Sequence, residues 1–196
     1  REDRMMHIPG AGVGSHCLPK DPWLLRFGLY EYGSWKVEPE FISLARRIND
    51  HMPIHMADLV ENALQSRGVS MQDATVTVLG VSYLEDADDT RNTPAATLTA
   101  ALQAKRAKVR LHDPYIESWE FGPHKIEKDL IATATESDCL VIVTKHREYF
   151  SLDFDALKKV MRTCVLVDGR NVFEQNDIEN KGFEYRAVGK AGIRRT

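Results

Sequence analysis

No apolar run in this chain of 196 residues approaches the roughly 20 consecutive residues that a membrane helix needs. The opening does not read as a signal peptide either, so the expectation is a cytoplasmic protein with no membrane contact. An excess of one charge is also lacking. The formal net charge is −3, with acidic and basic residues interspersed, which leaves no electrostatic footprint for nucleic acid. A small anionic ligand can still be served by local Lys and Arg. Cysteine is scarce: Cys17, Cys139 and Cys164 are odd in number and widely spaced, which argues against a disulfide framework and a closed zinc site, so no metal is expected. A starting methionine is missing, and REDRMMHIPG opens without a capping or strand signal. The expectation is a piece of a longer protein, or an artefact of expression.

What is present begins with IPGAGVGSHCLPKDPWLL, Ile8 to Leu25. Gly10, Gly12 and Gly14 let the backbone adopt positive φ and approach a ligand closely, and the prolines stiffen the other side. Cys17 is thereby presented at a backbone-lined spot. Cys139 in DCLVIVT and Cys164 in TCVLVDGR instead sit in apolar β-like runs and read as core thiols. His16 beside Cys17 raises a metal or base role, but adjacent side chains usually point apart and no ligand cluster is spaced to join it. It reads as a structural loop histidine. Lys20 and Asp21, taken alone, read as solvated charges.

Apolar residues from Phe41 to Leu64 recur at three- and four-residue spacing, which predicts a long helix from near Glu38-Pro39, kinked or split at Pro53 and closed by Gly68. So long a stripe, including Leu59 and Ala63, predicts a subunit interface and a homodimer. From Ala74 strands and helices alternate. ATVTVLGV, KVRLHDPY, CLVIVT, CVLVDGR and FEYRAV read as strands. Helices are expected from the Thr93-Pro94 cap to about Arg106, over about Lys125 to Thr135, and over Phe154 to Met161. The fold class is therefore α/β: a long interrupted helix followed by a doubly wound, Rossmann-like parallel sheet. The division expected is 1–72, a helical dimerisation segment with the cysteine loop, and 73–196, a ligand-binding domain.

Ligands of such sheets bind outside the C-terminal strand ends. The loop after the first strand reads SYLEDADDTRNTP, not G-x-G-x-x-G, so a dinucleotide held in the usual way is not expected in this domain. Asp86, Asp88, Asp89 and Asn92 read as turn and capping residues. Alternatively, Arg91 and the helix N-terminus face a phosphate-bearing ligand.

GAGVGSHCLPKDPWLL resembles the catalytic-cysteine motif of the UDP-glucose/GDP-mannose dehydrogenase family, and VLGVSYLEDADDTRNTPA resembles the opening of that family's C-terminal nucleotide-sugar-binding domain. DPY at 113–115 and DGRN at 168–171 fit the same domain. The resemblance implies an NAD-dependent, two-step oxidation of the C6 alcohol of a UDP-sugar to a carboxylate through a thiohemiacetal and thioester on Cys17. It further implies Asp21 as the residue that positions or activates the hydrolytic water, Lys20 and Arg91 as cofactor contacts, and Gly10, Gly12, Gly14 and Arg170 as substrate contacts. His16 before the cysteine resembles the branch that oxidises UDP-N-acetylhexosamines. Leu84 stands where many members carry a substrate-contacting lysine, so sugar recognition is expected to differ there. The family's N-terminal Rossmann half, with its glycine motif and catalytic lysine and asparagine, is not in this sequence and is the implied partner.

Two rival readings stand beside the enzyme. One is a catalytically inactive nucleotide-sugar-binding and dimerisation fragment; the other is a thiol redox protein, for which no resolving cysteine lies near Cys17.

Overall fold

TVTVL is apolar or β-branched at every position, as suits a strand covered on both faces. Thr75–Leu79 is that strand, β1, and all five residues are buried. The computed structural model describes residues 9–34 and 38–190; the opening REDRMMHI lies outside the described residues. Around β1 stand β2 (Lys108–His112), β3 (Ile126–Glu127), β4 (Cys139–Ile142), β5 (Val165–Asp168) and β6 (Glu184–Ala187). They form one sheet in the order β3-β2-β1-β4-β5-β6, with every pairing parallel. This is the doubly wound order, and its direction reverses between β1 and β4.

Side chains that alternate along the strands feed two cores. Val76, Val78, Cys139, Val141, Val165 and Val167 face α2 (Glu40–Ser66) and α3 (Pro94–Ala104), while Leu79, Leu140, Ile142 and Leu166 face the other layer. That second layer holds α4 (Leu130–Ala134), α5 (Phe154–Val160) and α6 (Gln175–Asn180). Thr93 caps α3 by accepting from the Ala95 N–H, with Pro94 in the first turn, as its sequence predicts.

Several expectations change. The stretch from Lys125 to Thr135 is not one helix: Ile126 and Glu127 pair with Leu111 and His112 as an edge strand. The chain then turns at Asp129, whose carboxylate accepts from Ala132 to start the short α4. Cys164 is half-buried rather than a core thiol. The long helix is not interrupted, because α2 runs through Pro53. Pro53 has no N–H for the Asn49 carbonyl. That carbonyl is instead covered by the glycine loop, since a β-carbon at Gly12 would lie 3.3 Å from it.

The interface expectation divides at the same point. Met56, Ala57, Val60, Ala63 and Leu64 are fully buried in this chain's own core, with Leu59 packed at its edge. Charges at Leu59 and Ala63 would therefore break the fold, not an interface. In the first half of α2, Phe41, Leu44 and Ile48 are exposed. Ahead of it lies α1 (Cys17–Tyr32), whose apolar residues carried no helical stripe; among its 16 residues none is buried.

Candidate active site at the strand C-termini

The glycine loop crosses the C-terminal edge of the sheet and touches three parts of it. A β-carbon at Gly10 would lie 2.7 Å from the Gly169 carbonyl and 2.8 Å from the Arg170 guanidinium. One at Gly14 would lie 2.5 Å from Tyr83 Cβ and 2.7 Å from the Asn92 carbonyl. At both places glycine is required by contact. Gly12, at φ 114°, is required by conformation as well. The Val13 N–H donates to Asn49 Oδ1 at 3.0 Å, so the loop is fastened to α2, to the loop after β1 and to the turn after β5.

Cys17 is the first residue of α1 and is exposed. Asp21 follows one turn later, which sets both side chains on one helix face. Lys20 lies 3.4 Å from Asp21, both largely exposed, so its charge sits against that carboxylate. Cys17, Asp21, Pro22 and Leu25 form one wall of a groove of about 520 Å³, and Phe41 and Ala45 of α2 form the other. Arg46 lines the same groove. It is 8% exposed and paired with Asp50, and its Nε has no partner among the described residues. A hollow of similar size at the opposite sheet edge, lined by Glu61, Lys105 and Arg106, is remote from the strand C-termini. Its Lys105 is paired with Asp58 and Glu61.

The loop after β1 is held by a buried hub that sequence reasoning missed. Asp113, at the end of β2, accepts from the N–H groups of Val81, Ser82, Tyr115 and Ile116 and from His146 Nε2 at 3.1 Å. Burial pushes this carboxyl up, but the His146 hydrogen bond and the Val81 N–H outweigh it and hold it below the ordinary carboxylate value. The Asp86 N–H donates to His146 Nδ1 at 2.9 Å, so the ring proton faces Asp113. Asp86 in turn accepts from the backbone N–H and Nε of Arg147, which lower its carboxyl. Asp113 directly follows β2 and His146 lies in the loop after β4, so both stand past the C-terminal ends of parallel strands, and that placement was the signal available.

Farther along this loop, the Arg91 guanidinium grips Asp89, and this pairing depresses the Asp89 carboxyl and raises Arg91. Arg91 stays half exposed. Leu84 and Asp88 are exposed. The Arg170 N–H donates to the buried Asp168, which fixes the turn carrying its side chain beside Gly10. Gly10, Gly12, Gly14, Arg91 and Arg170 thus gather along one edge. Cys17, Asp21 and Lys20 project from the helix that leaves it. Among the described residues no group of three or more His, Cys, Asp or Glu could hold a metal, and no helix is long and apolar enough to cross a membrane.

A doubly wound sheet whose strand C-termini carry a clamped glycine loop, with an arginine in the loop after β1 and another in the turn after β5, has the build of a nucleotide-binding α/β domain. Residues 77–175 match the UDP-binding domain of the UDP-glucose/GDP-mannose dehydrogenase family, and the chain belongs to that family. It is 35% identical over 188 residues to UDP-N-acetyl-D-mannosamine dehydrogenase of Pyrococcus horikoshii, covering 96% of this chain and 41% of that protein. It is 31% identical over 186 residues to UDP-glucose 6-dehydrogenase of Rhizobium meliloti, covering 92% of this chain and 41% of that protein. Among solved structures, NDP-N-acetyl-D-galactosaminuronic acid dehydrogenase from Methanosarcina mazei Go1 superposes with a TM-score of 0.87 at 36% identity, covering 95% of this chain and 40% of that one. The chain thus spans about 40% of the length of the relatives it matches.

Proposed function

We propose that the chain is the C-terminal part of an NAD-dependent nucleotide-sugar 6-dehydrogenase that converts a UDP-N-acetylhexosamine to its uronic acid. The carrying observation is the clamped glycine loop, which delivers Cys17 and Asp21, one helical turn apart, beside a sheet edge of the UDP-binding type. His16 and the N-acetylhexosamine dehydrogenases among the relatives support the sugar class. A cytoplasmic location belongs to the same reading.

In this reading the Cys17 sulfur adds to the C6 aldehyde carbon, forming a C–S bond while the carbonyl oxygen takes a proton. Loss of hydride and of that proton from the thiohemiacetal leaves a thioester. Water, oriented by Asp21, attacks the thioester carbonyl, and the C–S bond breaks to give the uronate and the free thiol. The nicotinamide cofactor would accept one hydride each time it binds, so two molecules bound in turn would serve the two oxidations at C6. The residues fit an edge contact with it. The loop after β1 has no glycine cradle, but Arg91 is half exposed and braced by Asp89, so it can meet a phosphate without rearrangement. Gly10 and Gly14 bring backbone to the sugar side, and Arg170 offers a planar fork to the diphosphate or a sugar oxygen.

The remaining machinery is supplied by the N-terminal Rossmann half of the same enzyme, and the active form is a homodimer. The bare α1, the exposed start of α2 and the unpartnered Nε of Arg46 support a covering polypeptide there. The chain alone is expected to bind a UDP-sugar weakly and to reduce no NAD; steady turnover by the chain alone would overturn this.

The decisive experiment is mass spectrometry of quenched full-length enzyme carrying Asp21→Asn. An acyl adduct on the Cys17 peptide is expected, because hydrolysis is slowed after the thioester forms. No adduct, with uronate still made at the wild-type rate, would reject the Asp21 role, whereas a parent full-length enzyme that makes no uronate would favour the inactive-fragment reading.

A further inference from the structure

We propose that Asn92 is the positioning residue for the Cys17 thiol, a role that rests on the reading of Cys17 as the nucleophile. Ser15, two residues before Cys17, is held at φ 75°, and Asn92 at φ 51°. Both lie in the left-handed region that non-glycine residues rarely occupy and keep only where the surroundings over-determine them. The surroundings here are each other. The Ser15 N–H donates to the Arg91 carbonyl at 2.9 Å, and Asn92 Nδ2 donates to the Ser15 carbonyl at 2.8 Å. Both backbone polar groups of Ser15 are thus taken by one dipeptide of the loop after β1, and Gly14 lies flat against the Asn92 carbonyl. Only His16 separates this clamp from the first residue of α1, so the clamp sets where that helix starts and where its thiol sits.

The clamp is anchored at both ends of its loop. On one side Asn92 runs into the buried Thr93 cap of α3. On the other, Asp86 is held by His146 and Arg147, and His146 by Asp113. Asparagine meets both demands of the position. It tolerates left-handed backbone, as glycine and aspartate do, and it brings an amide donor, which they do not.

Asn92→Gly and Asn92→Asp therefore remove the donor while keeping the backbone. In the chain itself, hydrogen exchange of the Ser15 amide should accelerate about tenfold, as for one lost hydrogen bond of ordinary strength, with the amides of β1 and β4 unchanged. In the full-length enzyme, kcat for uronate should fall about tenfold or more while KM for the nucleotide sugar stays within about twofold, the signature of a misplaced reacting group. An unchanged kcat in both variants overturns the proposal, as does a fall in kcat accompanied by faster exchange throughout the sheet, which marks a merely structural residue. Cys17→Ser in parallel separates the two claims. If that variant still makes uronate, the nucleophile reading fails; if it is inactive while both Asn92 variants keep full kcat, only the positioning role fails.

Discussion

The two halves of α2 make the same three- and four-residue apolar pattern and meet opposite fates. From Met56 to Leu64 the pattern is buried against the sheet and α3; from Phe41 to Ile48 it stands in solvent, Phe41 at 82% exposure. An apolar stripe thus tells that a face will be covered, and not by what. The covered half serves stability. The bare half, with α1 and its Cys17, lines the candidate groove.

The sharpest way to break this division is Cys17→Ser. In the full-length enzyme it should lower uronate formation by about 10³ or more, since a hydroxyl is a poor nucleophile without an activating base, while leaving the melting temperature of the chain unchanged. Near-normal turnover would remove the thiol from the chemistry. Next in size is a core truncation. Leu140→Ala, in the fully buried β4, should cost about 2–5 kcal/mol, whereas Leu25→Ala in the bare α1 should cost under about 0.5 kcal/mol. Equal losses in urea melts would erase the contrast.

Smaller is the loss from Asp113→Asn, about 1.5–3 kcal/mol for weakened hydrogen bonds to a buried charge. Its pH signature is specific. A carboxyl depressed in the fold adds stability above the unfolded value near 3.9, and that share is lost as pH falls through the lower folded value. His112, lowered by burial, disfavours the fold as pH drops below about 6.5. Urea midpoints should therefore decline from about pH 6.5 downward, steepening below about pH 4, and Asp113→Asn should flatten only the lower limb. An identical lower limb in the variant would falsify the hub's charge. Smallest of all on stability is the pair Phe41→Asp and Ile48→Asp. They should stay within about 0.5 kcal/mol of the parent, yet shift the sedimenting species of the full-length enzyme from dimer to monomer. Intact dimers would place the covering partner elsewhere.

Much of this arrangement was legible in the residues, and the misses share a physical cause. The strands β1, β4 and β5 announced themselves because a sheet covered on both faces needs continuous apolar runs, and α3 because Thr93-Pro94 is a chemically specific start. Two-residue β3 and the polar α6 carry too few side chains to show a period. In α1 the apolar residues surround the helix instead of lining one side, which periodicity cannot read. Within the site, the thiol, the aspartate one turn on and the glycines stood out by type and spacing. The Asp113–His146 hub and the Asn92–Ser15 clamp did not, because each joins residues far apart in the chain, and only the closed sheet brings them together.

The glycine loop carries a consequence for the order of folding. Gly10 rests on the Gly169–Arg170 turn, so a loop at the very start of the described chain finds its seat only after β5, near the other end, has paired. Contacts so distant along the sequence close late, because the intervening chain must first surrender its freedom. The loop that carries Cys17 is thus among the last parts to form, and a chain stalled with an unfinished sheet carries an unplaced thiol. Pulse-labelling the Ser15 amide during refolding should show it protected after the amides of β1 and β4; protection at the same instant would make the loop part of the folding nucleus.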